Sequence, residues 1–148
     1  MDFGEIGKNL VPLIFIIILI AVNVLFKKRK GERTQREVIQ SLLSEINQNQ
    51  NIMEAFLLQW QTKKFKTGTW KRNGARLDFL DQSLQIALSD AFSIAEDFNQ
   101  QIDAAKKHKS ASYLANINVE RLREPLAKSK QGLEEWLQAN MWLQANMG

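Results

Sequence analysis

The stretch LVPLIFIIILIAVNVLF, residues 10–26, runs straight into KKRK at 27–30. Its seventeen residues carry no charge and as a helix measure roughly 25 Å. With the flanking turn this approaches the hydrocarbon thickness of a bilayer, about 30 Å. Residues 14–20 are apolar on every side, so no polar face can turn to water. A helix lying in the interface would instead divide into one apolar and one charged face. Asn23 falls in the last two turns, within reach of headgroups, and Pro12 falls in the first turn, where its missing N–H costs little. The reading is a single transmembrane helix.

A cleaved signal peptide would carry its basic region before the apolar run. Here Asp2, Glu5 and Lys8 precede it and the basic block follows. Lys27, Lys28, Arg29 and Lys30, with Arg33 and Arg36, therefore predict a cytoplasmic C-terminal side and a short outside N-terminus in the cell (inner) membrane. The same block sits where anionic lipid attracts each cation by roughly 1 kcal/mol. It carries +5, against +4 for the whole chain, so the remainder is near neutral.

The expected division is a short extracytoplasmic segment (1–9), the span (10–26), a basic juxtamembrane linker (27–36), a cytoplasmic helical bundle (37–141) and a tail (142–148). Beyond the anchor about 120 residues remain, enough for one domain. There is no cysteine, which excludes a disulfide framework and a thiolate metal site.

Three amphipathic helices are expected. Ile39, Leu42, Ile46, Asn49, Met53, Phe56 and Trp60 recur at spacings of three and four along a helix from 37 to about 64. Asn49 within that stripe reads as a buried amide with a partner, or as a register and oligomer selector. A second helix, about 75–107, carries Leu77, Leu80, Leu84, Ala87, Ala91, Ile94, Phe98 and Ile102, widened by Phe79, Ile86, Leu88, Phe92 and Ala95. A third runs from near 119 to about 140 through Leu122, Leu126, Leu133 and Trp136. Pro125 either kinks it or stands in the first turn of a new helix. The predicted fold is all-α: an N-terminal transmembrane helix followed by an antiparallel up-down-up three-helix bundle.

WLQANM at 136–141 repeats at 142–147. Six residues turn a helix by about 600°, so Trp142 lands about 120° away from Trp136 and cannot share its face.

In an up-down-up bundle the KKHK turn at 106–109 would lie near the bilayer. The turn TKKFKTGTWKRNGAR, 62–76, would form the distal tip, roughly 40 Å away and beyond the reach of membrane charge. Lys63, Lys64 and Lys66 suit the end of the first helix. Lys71, Arg72 and Arg76 would then crowd the start of the second, where cations are disfavoured and anions bind. Trp70 and Phe65 would add stacking contacts. The expected occupant is an acidic partner.

No chemistry of catalysis is visible. His108 is the single histidine, the pattern of a phosphate-binding loop is missing, and adjacent acids on a helix face apart. No cofactor or metal is expected. The expected function is a non-catalytic, membrane-anchored accessory or scaffold protein that docks to a larger membrane-associated complex. Two alternatives are a self-assembling homo-oligomer, and a tether for nucleic acid or another acidic partner through 62–76, the former without the small-xxx-small pattern of tight helix pairs in its anchor.

Overall fold

A computed structural model of the chain describes residues 3–59 and 63–146. Among them every regular element is helical. The α-helices are α1 (Phe3–Gln59), α2 (Gly68–Asn73), α3 (Gln82–Lys107), α4 (Ala111–Ala115) and α5 (Arg123–Asn146), with 3-10 turns at Gly74–Arg76 and Val119–Leu122. The chain packs as two units, Met1–Glu37 and Val38–Gly148.

In the first unit the helix carries Leu10–Lys28, with mean hydropathy 2.7 and none of it buried. By length and composition this stretch can cross a membrane. Phe15 and Phe26 are each 66% exposed, as apolar side chains are only when protein does not cover them. The basic segment 27–36, expected to join the span to the bundle, is helical: α1 runs through it. Lys, Arg, Glu and Gln are good helix formers, and the one glycine, Gly31, costs only about 1 kcal/mol. Lys27 and Lys28 are exposed, while the side chains of Arg29 and Lys30 lie outside the described residues.

The second unit is built on three long helical stretches. From α1, Ile39, Leu42, Ile46, Asn49, Met53 and Phe56 are all buried, as their spacing predicts; Trp60 lies outside the described residues. From α3 come Leu84, Leu88, Ala91, Phe92, Ala95, Phe98 and Ile102. From the last turn and α5 come Val119, Leu122, Leu126 and Leu133. These join one hydrophobic core.

The order of the helices differs from the up-down-up expectation. Residues 63–73 do not form a tip; they fold back as a strap. Lys66 pairs with Asn49 and Thr69 with Glu45, so the strap descends along α1. Lys64 pairs with Asp103, Phe65 with Asn99, and Lys71 with Glu96, so it descends along α3 as well. Running antiparallel to both, the strap makes α1 and α3 parallel to each other. On α5, Gly132 meets Leu84 and Trp136 meets Phe79, both near the start of α3, while Arg123 pairs with Glu54 near the end of α1. The unit therefore runs up, strap down, up, down. The KKHK turn consequently lies at the end opposite Val38, not beside it.

Local chemistry explains the boundaries. α3 starts at Gln82 rather than near 75 because Asp81, in extended conformation, caps it through a 2.8 Å bond from the Leu84 N–H. Lys106 and Lys107 fill its last turn, where cations complement the dipole. Lys109 then takes a left-handed φ of 50°, and the Ser110 N–H closes on the Ala105 carbonyl at 3.1 Å. Pro125 stands in the first turn of α5, after a 3-10 turn ending at Leu122, which selects the second of its two expected placements.

Candidate functional site

The basic segment is held by the fold in detail. The Asn49 side chain accepts from the Lys66 N–H at 2.6 Å and donates to the Lys66 carbonyl at 2.7 Å. Asn99, from α3, does the same to Phe65, at 2.7 and 3.0 Å. An extended segment between two helices has no ladder of its own, so these amides supply the missing partners. Asn49 is thus the satisfied buried amide, its partner found within the chain. Glu45, 6% exposed, accepts from the Thr69 N–H at 2.7 Å.

The aromatic residues are spent inside the unit. Phe65 is buried, with its ring 5.9 Å from Phe98. Trp70 stacks on Phe92 at 5.1 Å with an interplanar angle of 5°. Their faces are therefore turned to the core, which removes the expected stacking of a ligand between Phe65 and Trp70. Phe92 and Phe79, which widen the stripe of the expected second helix, are covered by Trp70 and Trp136, while Ile86 stays exposed.

The six cations of 62–76 divide. Lys64 pairs with Asp103 and Lys71 with Glu96, each at 2.8 Å. The Lys71 ammonium, then a hydrogen bond from Thr67, hold the Glu96 carboxyl below its ordinary value. Lys63, Lys66, Arg72 and Arg76 have exposed side chains, and among the described residues no acid pairs with them. Lys71 and Arg72 lie in the last turn of α2 and Arg76 in the 3-10 turn. None stands at the start of α3, where Asp81 supplies the cap, so the anion site expected at that helix terminus does not form there. What remains is four exposed cations within residues 63–76, of which Lys66 stands on backbone held by Asn49.

Elsewhere the chemistry is spare. His108 lies exposed in the turn after α3, its ring 6.1 Å from that of Tyr113. Among the described residues no group of His, Cys, Asp or Glu is arranged to hold a metal. An open cleft of about 580 Å3 between α3 and α5 is lined by Asp81, Leu84, Lys128, Glu135 and Trp136, among others. Lys128 there is already paired with Glu124 at 2.8 Å.

Asn99 and Glu45, which hold the strap from α3 and α1, are not singled out by the sequence reading. The signal that marks Asn49, a polar residue at three-four spacing among apolar ones, is present for both: Asn99 stands in register with Phe92, Ala95 and Ile102, and Glu45 with Leu42 and Asn49. Nothing in the helical pattern shows that an extended strap returns over them.

No family model matches this chain, no curated protein matches its sequence and no solved structure matches its fold.

Proposed function

We propose that the chain is a non-catalytic, single-pass membrane protein, N-terminus outside and bulk cytoplasmic, that docks its helical unit onto a larger membrane-associated complex. The observation that carries this reading is the fully uncovered Leu10–Lys28 helix joined to a unit with a closed core. A helix that apolar is tolerable in water only if lipid or protein covers it. The basic block at Lys27 and Lys28 supports the orientation. The partner is an acidic protein surface, met by Lys63, Lys66 and Arg72 of the strap and Arg76 of the turn that follows it. A strap whose backbone is already fixed loses little entropy on binding, which favours a docking role over a loose loop.

The test is gentle extraction of native membranes, recovery through a C-terminal tag, and identification of what co-purifies at low and high salt. Stoichiometric recovery of a membrane complex, lost with Arg72→Glu and Arg76→Glu, is the expected result. Recovery of the protein alone as a discrete oligomer would replace this reading with self-assembly. Binding of nucleic acid that falls steeply with salt would replace it with a tether.

A further inference from the structure

Outside the span, the longest run of exposed large apolar side chains among the described residues is at the end of α5. Met141, Trp142 and Leu143 are 62%, 66% and 49% exposed. From Trp136 onward the sequence carries no charge. The three residues are consecutive, so they point about 100° apart around the helix. No single helix face laid alongside could cover all three. A medium that surrounds the helix end could.

The unit fixes where this end lies. The Arg123–Glu54 pair at 2.7 Å sets the start of α5 level with Glu54 of α1. Trp142 lies roughly 28 Å along α5 from Arg123, and Val38 lies roughly 24 Å along α1 from Glu54. Since α5 runs against α1, Trp142 and Val38 share one end of the unit. Lys28, the last residue of the span, precedes Val38 by ten residues. A ten-residue connection spans at most about 35 Å.

We propose that the uncharged end of α5, centred on Met141, Trp142 and Leu143, is an interfacial membrane contact whose occupant is the headgroup–acyl boundary of the bilayer that holds the anchor. This inference rests on the membrane reading above. Tryptophan favours this boundary because its ring is apolar and its indole N–H is polar. Asn140 and Asn146 flank the apolar residues and bond the carbonyls of Trp136 and Trp142 at 2.8 and 3.1 Å. Each bond gives one donor of the asparagine's own amide a partner, which lowers the cost of bringing that side chain into a drier medium.

The full chain, free of cysteine, allows the test. Three single-cysteine variants, Ala145→Cys, Lys106→Cys and Ile17→Cys, are labelled with an environment-sensitive fluorophore and reconstituted in phosphatidylcholine vesicles carrying nitroxide lipids. The inference expects the label at 145 to be quenched by shallow nitroxides about threefold more than the label at 106, and Trp142→Asp to abolish the difference. Equal quenching at 145 and 106, with deep quenching at 17, overturns the inference while the membrane reading stands. Absence of quenching at 17 overturns the membrane reading and this inference with it. Protection at 145 that follows protein density rather than nitroxide content assigns the patch to a second copy and also overturns it.

Discussion

Asn49 on α1 and Asn99 on α3 close on adjacent residues of one strand of backbone. Asn49 takes both polar groups of Lys66 and Asn99 takes both polar groups of Phe65. The two helices run parallel with an extended strap between them, and these amides are what the strap has in place of a sheet. Removing Asn99 leaves the buried N–H and C=O of Phe65 without partners, and removing Asn49 leaves the part-buried pair of Lys66. Asn99→Ala should cost about 2–4 kcal/mol in urea unfolding, and Asn49→Ala a similar amount. Because both hold the same strap, the double variant should cost less than the sum. Full additivity in the double-mutant cycle would show that the strap does not release as a unit.

At Gly132, α5 packs tightly against Leu84, near the start of α3. A Cβ there would sit 2.5 Å from Leu84 Cδ1 and 3.3 Å from its Cγ. Gly132→Ala should therefore destabilise by about 1–3 kcal/mol, despite alanine's better helix propensity. Trimming the neighbour with Leu84→Ala in the same chain should relieve the clash, so the cycle should show favourable coupling. A stabilised Gly132→Ala would mean that Leu84 moves freely into the adjoining cleft.

The repeated WLQANM places two tryptophans in different surroundings. Trp136 packs edge-on against Phe79 with ring centroids 5.5 Å apart, while Trp142 is 66% exposed. In detergent, Trp136→Ala should lower stability by about 2–3 kcal/mol and Trp142→Ala by less than about 0.5 kcal/mol. Equal losses in thermal unfolding would place the second tryptophan in the packed unit.

Glu96 ties stability to acid. Its carboxyl is lowered from 4.5 by the Lys71 ammonium and by Thr67. A carboxylate lowered in the folded state stabilises above its unfolded value, and that contribution disappears as pH falls through the folded value. Glu96→Gln should thus reduce stability near neutral pH and narrow the gap between about pH 7 and about pH 3. Glu120 and Glu124, lowered by Arg123 and Lys128, act in the same direction from the surface. An unchanged acid profile in Glu96→Gln would assign the loss to those pairs.

The apolar stripe of α1 is legible because a helix returns a residue to the same face every three or four positions, whatever it packs against. All six of its described members are buried. The stripe of α3 is less legible. Leu88 and Phe92 are more buried than Ala87 and Ile94, because α3 is covered on two sides, by α5 and by the strap. The candidate cations are legible as a cluster, but their division is not: Lys64 and Lys71 meet acids far away in the chain, on a helix whose expected direction is the opposite one.

By itself the sequence determined an all-helical chain, an apolar N-terminal stretch long enough to cross a membrane, and the separate faces of the two terminal tryptophans. Each follows from local composition and the fixed turn of the helix. Only the tertiary structure decided that residues 63–73 fold back, that α1 and α3 are parallel, and that Phe65 and Trp70 face inward. Those outcomes rest on long-range pairs such as Asn49 with Lys66 and Trp70 with Phe92, whose free energy depends on which surfaces meet and is written in no local pattern.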